Sequence, residues 1–422
     1  MSLPTENTPL LENGNGHDHR KPFATRVLDV FKAEGQPSWL KSYKFFFFGS
    51  WFNVLLLFVP LSVISHHLNW DAALRFSFSF VAIIPLASLL GTATEQLSLE
   101  LGQTLSGLLN ASFGNAVEII VGISALMQGE VRIVQTSLLG SILSNLLLVL
   151  GCSFLAGGLR YSESNFQVTA AQASSSLMTL SCITLVIPAA YHSAKSHVGG
   201  VDNSTLTFIN AIDVVSDGSD LEHIYASGLK IISRGTAILL LGVYVAYLYF
   251  QLKSHAHLFK ADDEEEHEEA EMNTVSAGFA LLGITVVTSF CADYLVASIE
   301  ETAERYSIPK AFIGLILLPI VANAAEHVTS IWMALKNKME LTIGICVGSS
   351  IQISAFVVPL LVIVGWISGH DLTLYFADFE TIVLFVSVLL VNFLIQDGKS
   401  NYMEGLMLVT LYLVIALAFW VS

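Results

Sequence analysis

Charged side chains are scarce in this chain. Asp, Glu, Lys and Arg together make up 13% of its 422 residues, while 54% of the residues are hydrophobic. A soluble domain carries about 25% charged residues and about 45–50% apolar ones. So few charges cannot cover a water-soluble particle of this length, which excludes a cytosolic enzyme.

Basic residues are the scarcer of the two signs. The chain has 19 Lys and Arg against 35 Asp and Glu, which gives a formal net charge of −16. Binding to phosphate groups of nucleic acids requires clustered Lys and Arg. The charge balance therefore excludes a nucleic-acid partner.

Cysteine is also sparse. The four cysteines lie inside apolar runs and lack the paired spacing of metal ligands: Cys152, Cys182, Cys291 and Cys346. We interpret them as packed, reduced thiols and not as a disulfide framework.

Long apolar segments dominate the remaining sequence. The first 43 residues contain no apolar core of the kind found in a cleavable signal peptide, so the segment after them is expected to be retained. Windows of about 20 apolar residues then recur. They predict an all-α polytopic membrane protein of eleven transmembrane helices, near 44–66, 72–93, 107–127, 131–157, 167–190, 231–252, 276–298, 309–335, 341–367, 373–395 and 402–421.

The distribution of Lys and Arg predicts an orientation in the lipid bilayer. Twelve of the 19 basic residues fall in the N-terminal tail or in every second loop after it. The positive-inside rule then places the N-terminus in the cytosol and, after eleven crossings, the C-terminus on the opposite side. The long loop 191–229 is expected on that opposite side, where Asn203-Ser204-Thr205 forms a glycosylation acceptor pattern.

A dense acidic segment lies in the predicted cytosolic loop 253–275. Two interpretations stay open for it, a solvated linker kept out of the bilayer by its charge and a cytosolic Ca²⁺ sensor that regulates the protein. Its acidic residues are Asp262, Asp263, Glu264, Glu265, Glu266, Glu268, Glu269 and Glu271.

The chain contains an internal repeat. The segment Gly114–Glu118 (GNAVE) matches Ala322–Glu326 (ANAAE) at a displacement of 208 residues, and Gly140-Ser141 matches Gly348-Ser349 at the same displacement. Each half contains five predicted spans, so the second copy enters the membrane upside down, as in many transporters. The predicted organisation is a cytosolic tail 1–43, an extra helix 44–66, a first repeat 67–252, an acidic linker 253–275 and a second repeat 276–422.

The two matched motifs each place an acid and an amide on one helix face. Asn115 precedes Glu118 by three residues, and Asn323 precedes Glu326 by three residues. Carboxylate and amide oxygens are hard ligands that suit Ca²⁺. These four residues are therefore predicted to form a metal site near the membrane midplane.

A carboxylate inside the hydrocarbon must bind a cation or a proton, because an isolated charge there is costly. Metal and protons would compete for the same oxygens. With a site that opens alternately to the two sides, this competition predicts exchange of a divalent cation for H⁺, with H⁺ as the coupling ion.

Other polar groups are candidates for the ion pathway or for proton coupling. Ordinary packing and polarity at the membrane edge are the alternative explanations for them. These residues are His327, Glu95, Asp293, Glu300, Gln172, Glu380, Gln352 and Ser144.

Two stretches, 107–151 and 318–359, carry a family resemblance. With their NAVE and NAAEH sequences, they resemble the cation/proton exchanger family of the calcium/cation antiporter superfamily. The resemblance implies that the family's central acids correspond to Glu118 and Glu326, its amides to Asn115 and Asn323, and its histidine to His327. It also assigns the acidic end of the family's second helix to Glu95, and Ala322 stands where the family usually has glycine.

Family membership would imply an antiporter in the vacuolar membrane. It would move Ca²⁺, and in some members Mn²⁺, from the cytosol into the vacuole in exchange for H⁺. The rival hypotheses are a Na⁺-driven or Mn²⁺-preferring exchanger and, from another class, a calcium channel. An intramembrane hydrolase is disfavoured, because Asn323–His327 lacks the HExxH spacing of a zinc protease.

Overall fold

A computed structural model describes residues 36–198, 218–255 and 270–421. These residues are helical except for short connections and one antiparallel pair of two-residue strands, β1 Ser164–Asn165 and β2 Lys399–Ser400. Three predicted features lie outside the described residues: the first 35 residues, the acceptor Asn203 and the acidic residues 262–269.

The helices of the described residues are numbered in chain order. They are α1 Trp39–Phe48, α2 Phe58–His67, α3 Ala72–Phe113, α4 Ala116–Met127, α5 Val131–Leu143, α6 Leu150–Arg160, α7 Val168–Val198, α8 Gly218–Tyr249, α9 Thr274–Tyr306, α10 Lys310–Phe312, α11 Leu318–Ala322, α12 Ala324–Leu335, α13 Met339–Gln352, α14 Val358–Ser368, α15 Asp378–Leu394 and α16 Tyr402–Val421. A 3₁₀ segment, Trp51–Leu57, precedes α2, and π-helical segments occur at Ser144–Val149, Phe250–Ser254, Ile313–Leu317 and Ile353–Val357.

Contacts between helix ends define two faces of the bundle. The first face carries Lys41, paired with Glu271, and the strand pair β1–β2. The second face carries Asp71, paired with Arg305. The described chain starts at the first face with α1 and reaches the second face at the end of α16, where Trp420 packs on Phe312.

The all-helical, multi-pass membrane architecture predicted from the sequence is confirmed. Within the described ranges, seven helices are long and apolar enough to cross a membrane, and two bent helix pairs could each form a further span. The remaining two predicted spans coincide with α4, which has 12 residues, and α15, which has 17. The total of eleven spans stays a prediction.

The first predicted span, 44–66, is sharply bent near its start in the structure. The axis bends by 84° between Trp39–Phe48 and Trp51–His67. The cause is local, because the Asn53 side chain donates hydrogen bonds of 2.9 Å to the carbonyl oxygens of Phe46 and Phe47 and so satisfies the end of α1. α1 therefore lies nearly perpendicular to the segment that crosses the bundle.

The second predicted span and the first residues of the third belong to one helix that continues through a sharp bend. α3 runs without a break from Ala72 to Phe113, yet the Ser98 hydroxyl donates to Asn110 Oδ1 at 3.1 Å. Residues twelve apart in a straight α-helix are separated by about 18 Å. The chain therefore folds back between Ser98 and Asn110, which returns it toward the centre of the bundle before α4.

Helices α3 and α9 pack along each other as a pair. Two ion pairs join them at the second face, Asp71 with Arg305 and Arg75 with Glu301. At the first face, Gln96 Oε1 accepts hydrogen bonds from the backbone N–H groups of Glu271 and Met272, just before α9 begins. The pair is thus fastened at both ends.

A second connection at the second face joins the two halves of the chain. Arg132, at the start of α5, forms a two-pronged ion pair with the carboxylate of Glu380 in the first turn of α15. The Glu380 side chain is 1% exposed and that of Arg132 is 46% exposed. Glu380 therefore depends on one guanidinium for its countercharge in the described structure.

We expect Arg132→Met to lower the free energy of unfolding by about 3 kcal/mol, because removing one partner of a buried pair leaves an uncompensated charge. Thermal unfolding in detergent measures the change. The control is Lys399→Met, which breaks the exposed Lys399–Glu163 pair and should lower the stability far less, because water screens an exposed pair. Equal losses in the two variants would contradict the prediction, and Arg132→Met/Glu380→Leu should recover most of the stability.

Candidate ion-binding site

The two predicted acids lie at equivalent points of two broken helices. Glu118 is in the first turn of α4 and Glu326 is in the first turn of α12. Asn115 and Asn323 directly precede these helices, and their backbone conformations interrupt the helical chain before each acid. Because the N-terminus of a helix presents unpaired N–H groups and a partial positive charge, both carboxyls occupy favourable positions for a negative group.

Both acids point into the protein. Glu118 is 7% exposed, and Asn115 and Asn323 are 1% exposed. Glu326 is partly exposed, but its Oε2 atom is buried and has no hydrogen-bond partner in the structure. The two carboxyls interact electrostatically with each other. The arrangement that would have excluded a shared site, two distant acids facing lipid, is not observed.

The amides of the two motifs bind serines of the opposite half. Ser349 donates its hydroxyl to Asn115 Oδ1 at 2.9 Å, and Asn323 donates its amide to the Ser141 carbonyl oxygen at 3.3 Å. Ser141 and Ser349 are the serines found 208 residues apart in the sequence. The structure therefore brings the two matched motifs together through reciprocal contacts.

Gln352 extends this network on the first-face side. Asn115 Nδ2 donates to Gln352 Oε1 at 2.5 Å. The residue at the matching position of the first half is Ser144, which lies at the start of a π-helical segment and faces Tyr412 of α16. The two positions are equivalent in register, but only Gln352 contacts a motif amide.

Asn145 belongs to the site and was missed by the sequence reasoning. It is 0% exposed, donates to Ser349 Oγ at 2.9 Å and lies beside the Glu326 carboxyl. Its position four residues after Ser141 on a helix was a usable signal, since residues at that spacing share a face. The repeat comparison hid it, because the equivalent position in the second half is Ile353.

Several oxygens at this site are buried without a hydrogen-bond donor. They are Asn145 Oδ1, Asn323 Oδ1 and Glu326 Oε2. Buried polar atoms are nearly always paired, so an unpaired group of this kind calls for an explanation. Carboxylate, amide and hydroxyl oxygens are the ligand types of Ca²⁺. In the described part of the chain, no three His, Cys, Asp or Glu side chains are grouped so that they could hold a metal ion, so a cation here would rely on amides as well as the two acids.

A wide cavity connects the first face with this site. It has a volume of about 540 Å³ and extends between the first-face ends of several helices to Gly348 and Gln352. Glu95, Glu340 and Gln251 line it, so its walls carry oxygen ligands and acidic charge. We call this cavity the vestibule.

The opposite side of the site is closely packed. A cavity of about 20 Å³ lies against Glu118 and is lined by Ser137, Ser141 and Leu295. That volume fits about one water molecule. The cavity on the first-face side therefore reaches Gln352 of the network, whereas the cavity beside Glu118 on the second-face side has room for about one water molecule.

The other predicted pathway residues lie in different surroundings. His327 is partly buried next to Glu326 on α12, and Glu95 is in the vestibule. Asp293 of α9 accepts a hydrogen bond of 2.5 Å from Ser124, two turns beyond Glu118 toward the second face. The structure places these three around the site, and their roles stay predictions.

Three further predicted residues lie away from the acid pair. Glu300 pairs with Lys310 at the second face at 2.6 Å, and Glu380 is held by Arg132. Gln172 is exposed on α7. The structure does not bring Gln172 and Glu380 together with the central acids, despite their separation of 208 residues.

Comparison with known proteins places this geometry in a family. The model of the sodium/calcium exchanger protein family matches residues 71–253 and 276–421. The chain belongs to this exchanger family. The matched ranges cover both acid motifs and all of the helices that surround them, and they stop on either side of the acidic segment.

Close relatives of the exchanger span nearly the whole chain. A vacuolar calcium ion transporter of Schizosaccharomyces pombe is 45% identical over 417 residues, which cover 98% of this chain and 93% of the relative. A vacuolar cation/proton exchanger of Oryza sativa subsp. japonica is 43% identical over 87% of this chain and 81% of the relative. The family resemblance inferred from the two motifs is confirmed.

A solved structure shares the fold. YfkE, which is described as a Ca²⁺/H⁺ antiporter, superposes with a TM-score of 0.70 at 35% identity. The alignment covers 88% of this chain and 100% of YfkE. This agreement supports the exchanger fold for the helices that build the candidate site.

Proposed function

We propose that this protein is a secondary active antiporter that moves Ca²⁺ from the cytosol into the vacuole in exchange for H⁺. Mn²⁺ is the second candidate substrate. The observation that carries the proposal is the pair of acids, Glu118 and Glu326, at interrupted helices whose amides bind serines of the opposite half. Relatives named as vacuolar calcium transporters and cation/proton exchangers support the substrate and the coupling ion.

The two carboxylates take either the metal or protons. Without a cation they are held in a low-dielectric interior where their charges repel, and this favours protonation. A bound Ca²⁺ compensates both charges and also recruits amide oxygens from Asn115, Asn323 and Asn145. Ca²⁺ and protons exclude each other from the carboxylates, so the site carries either Ca²⁺ or protons each time it changes from one side of the membrane to the other.

The proposed transport cycle uses the two halves as inverted repeats of five helices each, 67–252 and 276–422, with eleven spans in all. The first face is cytosolic, the C-terminus is lumenal, and the vestibule is the cytosolic access route to the site. The contacts between the halves support the arrangement as two related repeats, because Asn115 and Asn323 each form a hydrogen bond with a serine of the other half. The closed side next to Glu118 would open to the lumen in the other state.

The free energy needed to move Ca²⁺ against its gradient limits how few protons can be exchanged for each Ca²⁺ ion. Opposing a ~10⁴-fold Ca²⁺ gradient costs about 5.6 kcal/mol. Two protons that move down ~1.5 pH units supply about 4.1 kcal/mol. Exchange of two protons for one Ca²⁺ moves no net charge, so the membrane potential adds nothing at that stoichiometry. A third proton must therefore contribute, and its charge would also couple transport to the membrane potential.

Ion gradients across purified proteoliposomes test the proposal against its nearest rival. We expect an inside-acidic gradient to drive ⁴⁵Ca²⁺ uptake and to be dissipated as Ca²⁺ enters, since the two acids bind either ion. An equal Na⁺ gradient at constant pH should drive none, and protein-free liposomes are the control. Uptake with a Na⁺ gradient alone would favour a Na⁺-driven exchanger, while Ca²⁺ flux without proton movement would favour a channel.

A further inference from the structure

An apolar groove lies between the N-terminal helices and α9. Its volume is about 440 Å³, within the range of small-molecule sites. One wall comes from α1, the 3₁₀ segment and α2, and the other comes mainly from α9. The residues that line it include Tyr43, Phe46, Val59, Phe279, Gly283 and Val287.

The groove starts at the level of the membrane interface. α1 is nearly perpendicular to the crossing segment that follows it, and Leu40, Phe48 and Trp51 near its ends are 84%, 84% and 92% exposed. Such a helix, with apolar side chains on its outside, lies in the interface between headgroups and acyl chains. Trp39 and Tyr43 on the same helix are typical of this level.

From that level the groove extends into the hydrocarbon region. Its lining residues on α9, Phe279 to Val287, lie five to thirteen residues beyond the first-face start of the helix at Thr274. At 1.5 Å per residue this corresponds to depths of about 8 to 20 Å. The depth and the apolar lining fit an acyl chain.

Two lysines lie on α1, the helix that forms part of one wall of the groove. Lys41 is paired with Glu271 at 3.1 Å, whereas the neighbouring Lys44 is exposed and has no acidic partner within the described ranges. None of the lining residues is charged. A cationic group above an apolar channel at the interface complements the phosphate of a lipid headgroup.

We propose that this groove binds a phospholipid of the first-face leaflet, with one acyl chain between α2 and α9 and its phosphate beside Lys44. The bound lipid would contact α9, which pairs with α3 and contributes Leu295 to the small cavity beside Glu118. The lipid would therefore be in contact with the helix pair that borders the ion site.

Two glycines of α9 provide a matched test. A Cβ atom added at Gly283 or at Gly278 meets no other atom within 4 Å, so a side chain at either position starts in open space. Gly283 lines the groove and Gly278 does not. Gly283→Leu therefore fills the groove, while Gly278→Leu adds the same side chain to the same helix elsewhere.

Native mass spectrometry of the full-length protein, titrated with phosphatidylserine or phosphatidylcholine, measures lipid retention. We expect the unmodified protein and Gly278→Leu to retain one lipid and Gly283→Leu to bind at least about tenfold more weakly, because the apolar contact is lost. Lys44→Gln should weaken binding of both lipids if it holds the phosphate, and a larger effect for phosphatidylserine would assign part of the contact to the anionic headgroup.

The outcomes separate the two parts of the site. Equal retention by Gly283→Leu and Gly278→Leu would overturn the groove as a lipid site. Loss in Gly283→Leu with unchanged binding in Lys44→Gln would overturn the phosphate contact. Elution as a single species in size-exclusion chromatography shows that each variant is folded.

Discussion

Replacing Glu118 or Glu326 by glutamine is expected to reduce proton-driven Ca²⁺ uptake at least about 100-fold, a loss of about 2.7 kcal/mol. Glutamine keeps the size of the side chain but removes both the negative charge and the ability to carry a proton. Each acid lies in the first turn of a helix that follows a break in the chain, and the two carboxyls interact electrostatically with each other. Neither acid can therefore replace the missing one. Uptake of ⁴⁵Ca²⁺ into proteoliposomes with an imposed pH gradient measures the effect.

The control for this experiment is Glu304→Gln. Glu304 is an exposed acid at the second-face end of α9, remote from the site, so its loss should leave the rate unchanged. Ca²⁺/Ca²⁺ exchange without a pH gradient adds a second readout, because a residue that only carries protons would spare it. Substantial pH-driven uptake in either acid variant would refute the assignment of the two acids.

Replacing Asn145 by leucine is expected to slow uptake by about 10- to 100-fold, the usual effect of losing a group that orients metal ligands. The substitution removes the hydrogen bond to Ser349, which in turn holds Asn115, and it removes an unpaired oxygen beside Glu326. Initial rates of uptake over a range of Ca²⁺ concentrations separate loss of affinity from loss of turnover.

Asn392→Leu is the matched control for Asn145→Leu. Asn392 is an amide on α15 that bonds with Ser175 and Thr179 of α7, away from the acid pair. A fall in uptake that is the same in both variants would mean that Asn145 acts through general packing. An unchanged rate in Asn145→Leu would remove it from the proposed cage.

The acid pair could be found from the sequence because its physical signal is local. Glu118 and Glu326 stand within apolar runs, where an unpaired charge is so costly that a functional reason is expected. The two acids are 208 residues apart, as are the two Gly-Ser pairs, and this shared displacement relates the two halves of the sequence. The family assignment rested on these same residues and is confirmed.

The ion pair of Glu380 shows where such reasoning stops. Its separation from Gln172 matched the repeat, which suggested a place near the path, but Glu380 is bound to Arg132 at the second face and Gln172 is exposed. The displacement of 208 residues shows which positions of the two halves correspond, but it does not show which residues each side chain contacts in the folded protein. A buried carboxylate can belong to a structural ion pair as well as to a transport site.

The bend in the first predicted span could not be predicted from the sequence either. The run from Lys44 to Ser65 is apolar on both sides of Gly49, so hydropathy alone predicted one continuous span and no bend. The bend arises because the Asn53 side chain reaches back to the carbonyl oxygens of α1. A hydropathy window averages over such a single polar contact.

Composition and the spacing of the two motifs determined by themselves that this is a polytopic helical membrane protein with paired central acids. Only the tertiary structure showed that Asn145 lies beside Glu326, that a cavity reaches Gln352 from the first face, and that α1 turns aside to leave a groove beside α9. Hydrophobicity and charge are properties of each residue, so the sequence gives them directly. Hydrogen-bond partners, cavities and bends arise from contacts between residues far apart in sequence, which a one-dimensional pattern does not specify.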